Sequence, residues 1–375
     1  MRWPTPKQLH LFGSTLPAQK ALDASHSYLQ TIFHERLRQL TVHDLGMRDE
    51  RLAAAESSLA QLAERVSHLE HVAPWERQAV LDSVPSQLQA TATDLVAGLE
   101  PDECNEEFGQ MAAPDSRNGR DAESEGLQSY VSRLFREALR TGALMAQHQH
   151  VRACAISEGD TALSSRSVPH TVNVVESARK VRPILENAIA DAIEECERAL
   201  GKAPSVSLLP GDARATLLHG SIEFAAREVV FQSLRAMEST QDRNKADFVE
   251  IEIGYSRGSL GVRVSDVAGG MTPPEIRSSL RFRQSTLGRM SRNNNDIRGI
   301  NGINAVSHAD KNARTLTSFQ NYKSYLEVLS PPMGSGLALA RTHARYHGGD
   351  IVLCSWLGKG VDTYLTLDAT GMSGG

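Results

Sequence analysis

The apolar residues of this chain change period part-way along, and that change limits the fold more than any other feature. Residues 18–40 place Leu22, Tyr28, Leu29, Ile32, Phe33, Leu37 and Leu40 at spacings of three and four, one stripe of an amphipathic helix. Residues 50–72 repeat the pattern with Leu52, Leu59, Leu62, Val66, Leu69 and Val72, and Pro74 closes it. A third helix is expected over 77–98 on Val80, Leu81, Val84, Leu88 and Leu95, with Pro85 kinking or dividing it. Residues 127–152 and 171–200 continue the helical period, the second with Pro183 as an expected kink. Helices of this kind joined by polar loops predict a bundle. Residues 100–125 interrupt it with nine acidic residues against Arg117 and Arg120, together with Pro101, Pro114, Gly109 and Gly119, which reads as a solvated loop. No solenoid-length repeat is visible.

From about residue 204 the signals mix. Residues 218–239 read as a helix, while 248–253 (FVEIEI) alternate apolar and acidic side chains like a strand with one buried face. Residues 259–265 give a second strand ending at Asp266, and residues 335–347 a helix. Residues 351–356 and 361–367 give two last strands, turned by Gly358 and Gly360. The expected fold class is α+β: a helical bundle over 1–200, with an acidic loop at 100–126, then an α/β sandwich over 201–375 with helices on one face of the sheet.

Composition narrows the function classes. Lys and Arg total 40 against 45 Asp and Glu, a formal charge of -5. The basic excess of a dedicated nucleic-acid binder is missing, so no nucleic-acid partner is expected. No run approaches eighteen apolar residues, so no membrane span is expected. Cys104, Cys154, Cys196 and Cys354 lie far apart, without metal spacing or a disulfide framework, which favours a reducing compartment. Residues 1–20 hold Arg2, Lys7 and Lys20 but no Arg-rich leader and no long apolar core. The expectation is that a transit peptide is either absent or removed before this numbering begins.

Three motifs carry the chemistry. Glu228 and Gln232 stand four apart on one helix face, followed by Arg235 and Ala236. Asp266-Val267-Ala268-Gly269-Gly270-Met271 follows a strand, where a carboxylate can accept from an exocyclic amine and glycines admit a flat ring. Met333-Gly334-Ser335-Gly336-Leu337 opens a helix, whose unpaired N–H groups and dipole favour phosphate. Each motif alone is weak; their order and spacing are more specific.

In that order the chain resembles the ATP-binding (GHKL, or Bergerat) fold of gyrase, the heat-shock protein of ninety kilodaltons, MutL and histidine kinases. Within that group it most resembles the mitochondrial pyruvate and branched-chain 2-oxo acid dehydrogenase kinases. The carrying segments are GLALARTHARYHGGDIVLCSWLGKGVDTYLTL at 336–367, EVVFQSLRAMES at 228–239 and VSDVAGGM at 264–271, with PKQLHLFGS and ALMAQHQ as weaker support. The resemblance implies Glu228 as the base towards a substrate serine and Asp266 as the adenine-binding aspartate. It implies Gln232, Arg235, Gly270, Gly334, Gly336 and Leu337 as nucleotide-binding positions, and residues 284–331 as the lid. ATP and Mg2+ are the implied cofactors, with Gln232 as the metal ligand. The implied partner is the E1 or E2 component of a 2-oxo acid dehydrogenase or another large assembly, the implied compartment the mitochondrial matrix, and a homodimer is a further implication.

The chain departs from that pattern at the site. Gln232 stands in place of the magnesium-binding asparagine, one methylene longer, and Phe231 in place of the preceding lysine. Phe224 stands where the family has a histidine beside its glutamate, Ala268 and Pro332 stand for glycines, and Val361 for a threonine supporting the aspartate. The long C-terminal tail of the family is not matched. Magnesium demands near-ideal octahedral geometry, and phosphoryl transfer depends on positioning and metal electrostatics. The expected function is therefore a catalytically weak or inactive structural or regulatory subunit; the alternative is an active ATP-dependent serine kinase that inactivates E1. A two-component histidine kinase is disfavoured, because no acidic-Arg-Thr-Pro context follows His148 or His150. Those two histidines read as a solvated helix end, and His347 as a helix C-terminal residue interacting with the dipole.

Overall fold

Four helices form from the stripes of the first half: α1 (Ala18–Thr41), α2 (Glu50–Ser67), α3 (Pro74–Ala97) and α4 (Arg117–Gly159). The computed structural model describes residue 8 and residues 18–41, 50–69, 74–97, 117–159, 175–239, 248–282 and 335–372. Leu29, Ile32, Phe33, Leu37 and Leu40 of α1 are at most 1% exposed and meet Leu59 and Leu62 of α2, Leu81, Val84 and Leu88 of α3, and Val131, Leu134 and Phe135 of α4 in one core. Burying each such side chain is worth about 1.5–3 kcal/mol, so the stripe itself drives the packing.

Several boundaries differ from the sequence reading. Helix α2 ends at Ser67 rather than 72. Pro85 lies inside α3 without dividing it. The missing N–H costs a hydrogen bond, offset by burial of Val84 and Leu88 on either side. Helix α4 starts at Arg117, so the last part of the expected acidic loop is helical. Residues 98–116 lie outside the described residues.

The expected helix over 171–200 divides into strand β1 (Val175–Lys180) and helix α5 (Arg182–Leu200). Pro183 opens α5 rather than kinking it, since the first turn needs no N–H there. Asp212 Oδ1 accepts from the Arg182 N–H at 3.0 Å. Gly201 closes the helix with φ 82°. His148 is not a solvated helix end: it is 2% exposed inside the bundle. Its Nε2 meets Gln78 Oε1 at 3.2 Å, an atom that can only accept, so Nε2 carries the proton and Nδ1 accepts from Ser25 Oγ at 2.6 Å.

The second half adds strands β2 (Ser205–Leu208) and β3 (Arg214–Leu218), helix α6 (His219–Ser239), strands β4 (Phe248–Ser256) and β5 (Ser259–Ser265), helix α7 (Pro273–Ser279), helix α8 (Gly336–Tyr346), and strands β6 (Asp350–Trp356) and β7 (Gly360–Asp368). β1 pairs with β3; the main sheet runs β2-β4-β5-β7-β6, with only β2 and β4 parallel. The expected alternation appears in β4, where Val249 and Ile251 are buried and Arg263 of β5 pairs with Glu250 at 2.9 Å and Glu252 at 3.0 Å. Val262, Val264, Leu365 and Leu367 complete the inner face, covered by Ile184 and Leu185 of α5 and Val229 and Val230 of α6. The architecture is thus mixed helix and sheet, consistent with α+β.

Helix α8 is shared by two cores. Ala338, Leu339 and Tyr346 join the bundle-side core, while Leu337, Ala340 and Ala344 join the sheet-side core. Gln128 of α4 further ties the halves: its amide donates to Phe282 O at 2.5 Å and accepts from Phe282 N at 2.9 Å, and the Phe282 ring stacks on Phe135. The lid expected over 284–331, with Pro332 and Gly334, lies outside the described residues.

His347 caps α8 but does not serve the dipole as a cation. It is 1% exposed, and neither ring nitrogen has a partner among the described residues. Burial pushes His347 down to about 3, as it does His148 and His343. A histidine forced neutral in the fold binds its proton in the unfolded chain first. Stability should be full above about pH 6.5, the ordinary histidine value, and fall as pH drops towards 3. Thermal melts across this range should show that decline. His347→Phe should remove about one proton from its slope between pH 6 and 4; an unchanged slope would contradict neutral burial of this ring.

Candidate functional site

Helix α6 presents two faces. Ile222, Ala225, Ala226, Val229, Val230 and Leu234 belong to the sheet-side core, while Glu228 faces the start of α8. Glu228 is 5% exposed. Its Oε1 accepts from Arg227 Nη2 at 2.8 Å, while its Oε2 lies against the Cα of Gly336, where any added Cβ would overlap it. Arg227 also faces Glu195 at 3.8 Å and lies 5.1 Å from the Phe224 ring centre. Burial raises the Glu228 carboxyl above its ordinary range, with the Arg227 guanidinium pulling the other way. Gln232 is partly buried, and its Oε1 accepts from Arg235 Nη2 at 2.8 Å.

Asp266 directly follows β5 and is 6% exposed. Its Oδ1 accepts from the N–H groups of Ala268 at 3.0 Å and Val361 at 3.2 Å, and the Ser233 hydroxyl also hydrogen-bonds the carboxylate. Burial raises this carboxyl, opposed by those three donors. Val361, which stands for a threonine in the resemblance, thus supports Asp266 through its backbone. The glycines after the aspartate serve the chain itself. Gly270 has φ 82° and packs on the Trp356 carbonyl, and the Gly269 carbonyl accepts from Gly358 N at 2.7 Å. Gly360 packs directly on the Asp266 carbonyl, so the turn of β6 and β7 holds the aspartate in place.

The structure therefore brings Glu228 and Gly336 together, pairs Gln232 with Arg235, and links Asp266 to the same helix through Ser233. Leu337 lies in the sheet-side core at 5% exposure. Gly334 lies outside the described residues. Sequence reasoning missed Arg227, Ser233 and His343. Arg227 carried a usable signal, being a charge directly beside the singled-out glutamate. His343 carried none. It comes from α8 to pack on Phe224 with ring centres 4.8 Å apart, and its Nδ1 is 2.8 Å from Ser221 Oγ.

The donor set does not suit magnesium, which needs several oxygens in octahedral array. The Gln232 oxygen is engaged by Arg235, and the Glu228 oxygens are engaged by Arg227 and pressed on Gly336. Among the described residues there is no group of three or more His, Cys, Asp or Glu placed to hold a metal ion. No described helix is long and apolar enough to cross a membrane.

Gly336→Ala should destabilise the fold by about 1–3 kcal/mol in denaturant melts, since the new methyl meets a confined carboxylate. Removing that carboxylate in Glu228→Ala should make the double variant clearly more stable than the sum of the single effects predicts. Additive effects would mean that the two positions do not touch.

No family model matches the chain. It is similar to the mitochondrial [pyruvate dehydrogenase (acetyl-transferring)] kinase of Arabidopsis thaliana, 26% identical over 208 residues, 54% of this chain and 50% of that protein. It is also similar to the protein of the same name from Schizosaccharomyces pombe, 23% identical over 202 residues, 52% of this chain and 42% of that protein. The chain thus spans about half the length of the curated relatives it matches, and its likeness to mitochondrial pyruvate dehydrogenase kinases is distant.

Proposed function

We propose that this chain is a degenerate kinase of the pyruvate and branched-chain 2-oxo acid dehydrogenase kinase type. In this reading a GHKL domain over 201–375 follows a helical bundle over 1–200, and the fold serves as a structural or regulatory subunit of a mitochondrial matrix assembly. The distant likeness to two mitochondrial kinases supports the type and the compartment. One observation carries the loss of catalysis: Arg227 holds Glu228, and Arg235 holds Gln232. A general base must reach the proton it removes with an available lone pair, and here one Glu228 oxygen accepts from Arg227 while the other is pressed on Gly336. Phosphoryl transfer leaves little for the protein to do besides positioning and charge stabilisation, so losing the base and the metal ligand together removes most of what such a site supplies.

The active serine kinase is the second reading. Its support is the Asp266 turn, which stays fully built with three donors on the carboxylate. In that reading Glu228 is the base, Gly334 and Gly336 meet the phosphates, and E1 of a 2-oxo acid dehydrogenase complex is the substrate. Partners in either reading are proteins of such a complex or another large assembly, with a homodimer as a further possibility for the sheet face.

Radiolabelled ATP, magnesium and a 2-oxo acid dehydrogenase E1 component separate the two. The degenerate reading predicts no phosphate incorporation above that of Glu228→Gln. Incorporation that Glu228→Gln abolishes would establish the active enzyme.

A further inference from the structure

We propose that the helical bundle binds a borderline transition-metal ion, of the zinc, nickel or cobalt kind, through His26 of α1, Gln78 of α3 and His148 of α4. The two imidazoles converge: His26 Nε2 and His148 Nε2 each lie 3.2 Å from one atom, Gln78 Oε1. Their rings meet edge to face with centres 4.5 Å apart, so the two nitrogens are turned to a common point. A metal–imidazole bond is about 2.0–2.1 Å, so an ion entering there draws each ring in by about 1 Å, while Oε1 swings aside to become its third ligand. Imidazole nitrogen is a preferred donor for ions of this kind. The described residues hold no set of three His, Cys, Asp or Glu placed for a metal; here an amide oxygen is the third protein donor, and water completes the tetrahedron.

The surroundings suit ligands as well. A metal-bound histidine donates its other ring N–H to an oxygen, and Ser25 Oγ stands 2.6 Å from His148 Nδ1. The ion takes the Nε2 lone pair, so the His148 proton moves from Nε2 to Nδ1, and the Ser25 hydroxyl turns from donor to acceptor. The ring stays neutral throughout. Asp82 brings negative charge: its Oδ1 accepts from Gln78 Nε2 at 2.9 Å, which polarises that carboxamide towards its oxygen, and from Gln149 Nε2 at 3.2 Å. Asp82 is exposed, which gives the ion an entry path on that side. Burial, with His26 and Arg152 acting in the same direction, holds His148 neutral down to about 3, so protons do not compete for the ring at ordinary pH.

The test is an isothermal titration of the full chain with zinc chloride at neutral pH, with histidine nitrogen-15 spectra followed alongside. One ion should bind per chain with micromolar affinity, and two of the 13 histidines should change tautomer as it binds. His26→Ala, at a part-buried position, should weaken binding at least roughly tenfold, and Asp82→Asn by a few-fold. Circular dichroism checks that the variants fold; if His26→Ala does not, the nitrogen-15 spectra of the unaltered chain decide, because they report the ligands without a substitution. No uptake at millimolar zinc, uptake without the tautomer changes, or full affinity in folded His26→Ala would overturn the proposal, the last two placing the ion on thiols or on other histidines. The outcome is independent of the kinase reading, since no donor here belongs to α6 or to the Asp266 turn.

Discussion

A carboxylate buried between two helices needs a partner, and the region around the candidate site is arranged around that requirement. Glu228 is almost wholly out of water where α6 meets the first residue of α8. Desolvating an unpaired carboxylate would cost several kcal/mol, and Arg227 offsets it from the adjacent position. Gly336 must then stay without a side chain, because the second carboxylate oxygen occupies that space. The start of α8 is thereby fixed by packing on Glu228. The same contact that stabilises the helix pair takes the carboxylate away from solution chemistry.

Helix α8 carries this constraint into the rest of the molecule. One side of it lies in the bundle-side core and the other in the sheet-side core. Arg341 forks onto Asp350 at 2.6 and 3.0 Å, fastening the helix to the start of β6. Ser221 and His343 bind α8 to α6. A change at the candidate site is therefore felt by both cores, and the neutral histidines of α8 set how acid affects the junction.

Periodicity made most of the architecture legible. The stripes of α1–α4, the alternation of β4 and the glycine turn between β6 and β7 follow from local physics. What escaped was decided by tertiary contacts. β1 hid in a helix-like pattern because its pairing with β3 comes from a distant part of the chain. Pro85 reads as a kink or a division; burial on either side carries one helix through it, so it does not divide. His148 reads as a solvated helix end and His347 as a partner of the helix dipole, because sequence spacing cannot show which helix end is covered by another element. At the site, the positions of Glu228, Gln232 and Asp266 were visible, but the partners that set their chemistry were not. Arg227 and Arg235 are ordinary charges in sequence; only their geometry makes them occupants of side-chain oxygens of Glu228 and Gln232.

That occupation is the centre of the account, and manganese reads it directly. The full chain, labelled with nitrogen-15 glutamine and assigned with the help of Gln232→Asn, is titrated with manganese and ADP. The account predicts that the Gln232 side-chain amide keeps its linewidth as the paramagnetic ion is added. Selective broadening of that one resonance at low manganese would place the ion on Gln232 and contradict it.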